Sequence, residues 1–390
     1  MTDWRVVPAE VMLPIAEREA RTLGLSRVAD ITGLDRLGVP CFQATRPAAR
    51  ALAGNISVLA GKGWEPTTAR LAALMESIER HWAERAAVPV HLARISELRA
   101  RGEQVIAPAT FPLPLGVPDP GDAPLAWVRA QDGAGAQAWV PAHEVWCPFT
   151  APPGAQNPPI WHSNGLAAGA TRDEAAFHSL LEVIERDAVG VAELARIGTS
   201  VDLRAGGSGP RAALLERLAA LDIAVEGKQV WALGGASAYA VALDDRAAGD
   251  PMFLVAGFGC HPDPSVALDR ALLESVQTRA TVISGAREDL DWRYAQLREK
   301  GYKDARAALA WWFQPTQERT PMPTDTPGLH PSAALADLIE TLMVQQFRAW
   351  FVELSPPGRP VSVVRALIPG ATNVTHSTVR LGVRVHLEKT

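Results

Sequence analysis

The chain has 390 residues, with 38 Lys and Arg against 43 Asp and Glu, and a formal net charge of −5. Apolar residues make up 47% of it, enough for a sizeable core, and the slight acidity argues against a nucleic-acid binder working through a strongly basic face. The first residues show no secretory pattern, and no apolar run approaches the ~20 residues that span a bilayer, so a cytoplasmic protein with no membrane segment is expected.

From the amino terminus, residues 8–24 read as a short helix with acidic and basic faces. A strand follows over Val39–Thr45, then a helix over 67–87. Residues 105–160 are rich in Pro and Gly and belong on the surface or around a site. Within them, Trp127 to Pro141 reads as a hairpin around Asp132 and Gly133. A strong helix is expected over 171–190, β structure over 223–259, and a third helix from Pro264 past Arg279. Helices over 303–313 and 332–353 and a strand in PVSVVRALIP complete the chain. Strands and helices mix without strict alternation, which favours a mixed α/β or α+β fold over a doubly wound sheet. Neither standard phosphate-binding glycine loop is present. Cys41, Cys147 and Cys260 are few and far apart, which points to buried thiols and not to disulfides or a zinc site.

The chain repeats itself. Residues 61–80 align with 167–186 without a gap. Gly63 meets Gly169, Ala69 meets Ala175, and Leu74 meets Leu180; Glu76, Ile78, Glu79 and Arg80 meet Glu182, Ile184, Glu185 and Arg186. A weaker third copy covers 264–279, where Ala267, Leu272, Glu274 and Ser275 match and Gln277 replaces the second carboxylate. Carboxylates three residues apart share one helix face and repel unless a cation lies between them. Glu174, His178, Glu182 and Glu185 stay within one stripe of the second helix. Two such helices facing each other offer four carboxylates, a donor set for magnesium, and Arg80 and Arg186 could reach phosphate oxygens. A single Glu-x-x-Glu-Arg is ordinarily a solvated helix face. Glu174 also fits a capping box with Thr171, and His178 reads first as a packed or hydrogen-bonded histidine.

The run from Ser163 to Gly169, followed by Thr171, Glu174, Ala175, Leu181, Glu182 and the segment Ile184–Ala188, resembles the signature of the YcaO family. Asp30 to Pro40, Gly61 to Gly63 leading into Glu76–Arg80, Gln277 with Arg279, and Val363–Arg365 before Pro369 and Gly370 agree with it. The resemblance spans about residues 28–370. It implies a YcaO-like fold of repeated helix-on-sheet units, with an ATP site between carboxylate-bearing helices. The magnesium ligands it implies are Glu76, Glu79, Glu174, Glu182 and Glu185. The ATP-binding residues it implies are Lys62, Glu79, Asn164, Arg186, Gln277 and Arg279. At Ala170 the chain departs from the Asn usual in the family, which puts one polar contact in doubt.

The family uses ATP to phosphorylate the oxygen of a peptide-bond carbonyl. A Cys, Ser or Thr side chain then closes an azoline ring, or external sulfide gives a thioamide. Azoline-forming members generally end in a Pro-x-Pro-x-Pro tail, whereas this chain ends LGVRVHLEKT. Residues 1–27 are expected to form a helical segment, too short for a leader-binding domain, and 28–390 a single catalytic unit. The arrangement is similar to members that work with a separate TfuA-like protein. It implies thioamidation of a peptide or protein substrate, with azoline cyclodehydration or an amidine-forming reaction as alternatives and an ATP-binding accessory role as another class. The apolar helix expected over 332–353 could serve a homodimer as well as a core.

Overall fold

The computed structural model describes residues 4–51, 55–85, 88–203, 209–287, 290–324, 330–374 and 379–387, so the ends of the expected N-terminal segment and of the LGVRVHLEKT tail lie outside the described residues. Helix α1 (Ala9–Thr22) leads into strands β1 (Arg27–Asp30), β2 (Cys41–Thr45) and β3 (Val58–Lys62) and helix α2 (Pro66–Ala83). Next come β4 (His91–Ala93), α3 (Ile95–Ala100), β5 (Leu125–Asp132), β6 (Gln137–Pro141), β7 (Leu166–Gly169) and α4 (Arg172–Ala195). Then follow β8 (Thr199–Asp202), α5 (Pro210–Ala220), β9 (Ile223–Trp231), β10 (Ser237–Asp245), β11 (Leu254–His261), α6 (Pro264–Ser284), α7 (Asp291–Ala308) and α8 (Ala310–Phe313). The chain closes with β12 (Arg319–Pro321), α9 (Pro331–Val344), β13 (Trp350–Glu353), β14 (Ser362–Leu367), β15 (Asn373–Val374), β16 (Val379–Arg380) and α10 (Arg384–Leu387). Mixed helices and sheets are what the sequence pattern predicts.

Strands β1, β2 and β3 form an antiparallel sheet. A second sheet has the order β11-β10-β9-β8-β12, with β12 parallel to β8. A third runs β4-β5-β13-β14-β7, with β6 also paired to β5. Strand β14 shows how that sheet serves two cores. Val363 and Leu367 pack on one face with Leu71, Leu74 and Ile78 of α2, whereas Val364 and Ala366 pack on the other with Leu180, Leu181 and Ile184 of α4. This is the period of two expected of a strand buried on both faces. Strand β7 is one edge of the sheet, and among the described residues no strand pairs with it on its outer side.

The repeat is a strand–turn–helix unit: β3–α2, β7–α4 and β11–α6. The matched Ala69, Ala175 and Ala267 are fully buried, as are Leu74, Leu180 and Leu272. Each helix lies close on its own strand, and glycine permits it. A Cβ on Gly61 would lie 2.1 Å from the Ala73 nitrogen, one on Gly169 2.5 Å from that of Ala175, and one on Gly257 2.1 Å from that of Ser275. The helices start where the sequence marks them. Pro66 and Pro264 occupy first-turn positions, where a missing N–H costs nothing. Thr171 caps α4 by accepting from the Glu174 N–H at 3.2 Å.

Three expected elements shift. The helix expected over 67–87 ends at Ala83; Ala86 and Ala87 lie outside the described residues. The segment 303–313 is the far end of a longer helix broken at Gly301, whose φ is +73°, followed by the short α8. The helix expected over 332–353 stops at Val344, and Trp350–Glu353 is strand β13. No Gly or Pro marks that stop: Gln346 takes a left-handed turn at φ +65°. The aromatic and β-branched Trp350, Phe351 and Val352 then fill the sheet between β5 and β14. Ala334, Leu335, Leu338 and Leu342 of α9 pack into the core beside α4, so that apolar face serves the core.

Gly61→Ala should lower the unfolding free energy by about 3 kcal/mol, the upper end of the cost of overpacking. Gly33→Ala, with nothing within 4 Å of its added carbon, should change it by less than about 0.5 kcal/mol. Urea denaturation of both variants measures the difference, and equal losses would mean that the helix–strand approach is not what constrains this glycine.

Candidate functional site

Beyond edge strand β7 the repeated helices bring their polar positions to one place. A cavity of about 640 Å³ is lined by Lys62 of β3, by Glu76, Glu79 and Arg80 of α2, by Glu182, Glu185 and Arg186 of α4, and by Glu274 and Gln277 of α6. Its volume lies in the range of cofactor sites. The sequence dictates this arrangement through one burial rhythm. Ser77 and Ile78, Val183 and Ile184, and Ser275 and Val276 are buried, while the carboxylate or, at Gln277, amide neighbours on each side are half-buried and line the cavity. A second cavity, of about 290 Å³, adjoins the first and shares Glu76, Glu79, Glu182 and Arg270 with it. Its other walls include Arg5, Met12, Leu71, Ala170, Glu174 and His178. The carboxylates therefore form a layer between two cavities.

The hydrogen bonds repeat as well. The Ala60 N–H donates to Glu76 Oε2 at 3.2 Å. The Phe258 N–H, at the matching place on β11, supports the ionised Glu274. Lys62 Nζ lies 2.9 Å from Glu274 Oε2. Gln277 Nε2 donates to the Ala60 carbonyl at 3.3 Å and ties α6 to β3. Arg270 Nη2 lies 3.2 Å from His178 Nδ1. Glu174 Oε2 accepts from the Ala170 N–H at 3.1 Å while its own N–H is held by Thr171, so the capping geometry and a place in the smaller cavity coexist.

Electrostatics set this layer apart. Burial, reinforced by Glu182, pushes the Glu79 carboxyl well above its ordinary value. Burial raises Glu182 too, against the pull of Arg186 and Arg80. Glu185 is pushed up to about 7, chiefly by burial, with Arg186 opposing and Glu274 adding to it. Glu274 goes the other way: burial opposes its charge, but Lys62 and Arg186 outweigh it and hold the carboxyl below the usual range.

Of the residues singled out in the sequence, Lys62, Glu76, Glu79, Glu182, Glu185, Arg186 and Gln277 share the larger cavity, and Glu174 lines the smaller. Arg279 is placed elsewhere. It is buried between Asp35, at 2.9 Å from Nε, and Asp245, at 2.8 Å from Nη1, and is not among the residues lining either cavity. Asn164 is buried next to Ser163, which does line the larger one. Arg270 and Glu274 are the residues that sequence reasoning passed over as site groups. The third copy of the repeat carried the signal, since Glu274 aligns with Glu76 and Arg270 precedes it by one helical turn.

A family model described as YcaO cyclodehydratase, ATP- and Mg2+-binding, matches residues 60–372. The chain belongs to the YcaO family. A protein of Methanothermobacter thermautotrophicus is 33% identical over 391 residues, covering 97% of this chain and 98% of that one. A Rhizobium leguminosarum bv. trifolii protein, described as lying in the tfuA 3′ region, is 30% identical over 403 residues, covering 98% and 92%. YcaO from Methanopyrus kandleri, solved with AMPPCP and Mg2+, has a TM-score of 0.75 at 24% identity over 97% of this chain and 95% of that one. A heterocyclase solved with substrate and cofactor has a TM-score of 0.78 at 18% identity, covering 95% of this chain and 53% of that one. These two likenesses show the fold.

ATP and Mg2+ are thus the ligands of this YcaO chain, and the site suits them. Among the described residues no three His, Cys, Asp or Glu side chains converge on one point as a closed metal cage. Magnesium does not ask for one: it keeps waters and takes one or two carboxylates together with substrate phosphates. Carboxyls held above their ordinary range by burial and by each other are those that a divalent cation would relieve.

The sign of the pH effect follows. Glu79, Glu182 and Glu185 bind protons more tightly folded than unfolded, so each contributes stability that is complete at low pH and is lost as pH rises through its folded value, which for Glu185 is about 7. Without ligand, the melting temperature should fall between pH 5 and 7.5 and be restored most by Mg2+–ATP at the upper end. Calorimetry in buffers of different ionisation enthalpy should show net proton release when Mg2+–ATP binds near neutrality. Zero release would contradict the assignment of the cation to this layer.

Proposed function

We propose that the chain uses ATP to phosphorylate a backbone amide oxygen of a ribosomally made peptide or protein and, with a TfuA-like partner, converts that amide to a thioamide. The observation that carries this reading is the carboxylate layer shared by two cavities. Nucleotide phosphates and a peptide bond can then approach one cation-binding layer from opposite sides, as in-line transfer requires. The relative in a tfuA 3′ region supports the choice of partner and, with it, of product.

An amide oxygen leaves poorly until it is phosphorylated. In the reading proposed, that oxygen takes the γ-phosphoryl group and ADP departs. Hydrosulfide adds to the amide carbon; the C–O bond then breaks, phosphate leaves and takes up the S–H proton, and C=S remains. Bound Mg2+ would neutralise phosphate charge, held by carboxylates drawn from Glu76, Glu79, Glu174, Glu182 and Glu185. Arg186 and Lys62 lie where they can hold phosphate oxygens. Gln277 fixes α6 against β3. Residues 28–390 act as one catalytic unit in this reading. The preceding segment supplies Arg5 and Val7, with Met12 of α1, to the wall of the smaller cavity. Ala170 offers no side-chain amide, and its backbone N–H is taken by Glu174.

Two measurements test the reading. The chain, a TfuA-like protein, a candidate peptide, ATP and sulfide should give a product about 16 Da heavier, from exchange of oxygen for sulfur. A product about 18 Da lighter would instead mean ring closure, in keeping with the cyclodehydratase description of the family. ATP binding without hydrolysis in the presence of any peptide would point to an accessory role. Glu182→Gln should weaken Mg2+–ATP binding at least about 100-fold, the scale set by loss of one cation ligand, with an unchanged circular dichroism spectrum. Unchanged affinity would refute the role given to Glu182.

A further inference from the structure

Two histidine rings are each held by an arginine. His162 Nδ1 lies 3.0 Å from Arg365 Nη2, and His178 Nδ1 lies 3.2 Å from Arg270 Nη2. A guanidinium donates and never accepts, so Nδ1 is the accepting nitrogen in both rings and carries no proton. A ring whose Nδ1 accepts is not the cation; it is neutral, with its proton on Nε2. For His178, burial and then Arg270 push the same way, well below the ordinary value of a histidine. Arg270 thereby fixes His178 as a donor and bars it from acting as a base.

The rings differ in what that donor meets. The Nε2–H of His162 is taken by Glu144 Oε2 at 2.9 Å. His143 and His261 also have an unbonded Nε2, but it is buried. His178 is half-buried and lines the smaller cavity. Its Nε2 has no hydrogen-bond partner among the described residues and is not one of the buried atoms left without one, so it opens onto that cavity. Glu174 and Glu182 line the same cavity. They stand one helical turn to either side of His178, about 5–6 Å away at Cβ. Much of the remaining wall is apolar, with Met12, Leu71, Met75 and Leu166. A single neutral N–H is thus presented beside the carboxylate layer, in a small space with apolar walls.

We propose that the Nε2–H of His178 donates to the carbonyl oxygen of the peptide bond that reacts, and that Arg270 is a positioning residue that keeps this proton on Nε2. This rests on the reading above, in which the peptide bond meets the layer from the side of the smaller cavity. A carbonyl oxygen has two lone pairs. One accepts from His178 while the other attacks the γ-phosphorus. A neutral donor suits this oxygen, because a charged one bonds roughly twice as strongly and would draw off the electron density that the attack needs. No proton is transferred in this contact.

The test uses the full chain with isotope-labelled histidine, saturated with Mg2+–AMPPCP, which cannot pass on its γ-phosphoryl group. The probe is acetylglycine N-methylamide, a blocked dipeptide with two peptide bonds and no side chain. Nitrogen–proton correlation spectra, with the His178 signal assigned by its loss in His178→Gln, should show a neutral ring protonated at Nε2. A proton on Nδ1, or on both nitrogens, would overturn the inference. Arg270→Met should leave the proton shared between the two nitrogens; a ring still fixed with Nε2 protonated would overturn the part given to Arg270. Titration with the probe should shift the Nε2 signal saturably. By calorimetry, probe affinity should fall at least about threefold in His178→Ala, the scale of one hydrogen bond, and return to within about twofold of wild type in His178→Gln, whose amide N–H reaches the same place. No saturable shift, equal affinity in the alanine variant or no rescue by glutamine would overturn the inference. So would Mg2+–AMPPCP affinity falling as far as probe affinity in His178→Ala, which would mean that the ring only supports the layer. If His178→Ala does not fold, the wild-type spectra and titration decide alone. Neither sulfide, nor a partner, nor phosphoryl transfer enters these measurements, so they fail separately from the thioamide reading.

Discussion

Repulsion between carboxylates governs this molecule. Three homologous helix positions, Glu76, Glu182 and Glu274, and the two that follow a turn later, Glu79 and Glu185, are held half-buried around one cavity. Such a cluster costs stability unless cations enter it. The chain supplies some of that charge: Lys62 on Glu274, Arg186 beside Glu185, and Arg80 near Glu79. What remains raises the carboxyls of Glu79, Glu182 and Glu185. The layer therefore has the charge that an external cation carrying an anion with it would complete, as proposed for Mg2+–ATP.

The fold works to hold this arrangement in place. Each carboxylate helix lies on its own strand through glycine contacts too close for any side chain. The helices are thus fixed by backbone approach and not by loose side-chain packing. The six-stranded sheet packs α2 against one face and α4 against the other, and β7 is at its edge. The carboxylates lie near the middle of each helix, and Leu74, Leu180 and Leu272, two residues before the first of them, anchor the helices in the core. Arg279 shows the same economy. Instead of entering the cavity it joins Asp35 of the first segment to Asp245 at the end of β10, and Arg36 meets the same Asp245 at 2.6 Å. There it clamps the third unit to the region before the first.

Much of this was legible from residues alone. The gapless match of 61–80 with 167–186 identified the site helices, because a repeated polar pattern in a repeated apolar frame needs repeated surroundings. The helices of the three units and the hairpin at Asp132 followed from period and turn residues, whereas the short strands β3 and β7 were not among the expected elements. The stop of α9 was not legible, because Gln346 turns the chain without the glycine that usually announces it. Trp350 to Val352 suit a helix face or a buried strand equally until the sheet claims them.

The sequence by itself singled out side chains that line the cavity, Glu76, Glu79, Glu182 and Glu185, by repetition, and the ATP- and Mg2+-binding family by resemblance. Local pattern suffices there, since three-residue spacing on a helix fixes a shared face. Only the tertiary structure decided which of those faces meet. It admitted Glu274 and Arg270 to the site, removed Arg279 to a buried ion pair and divided the space into two cavities. Those outcomes depend on where a sheet ends and on which charges burial brings together, and neither is a property of any one segment.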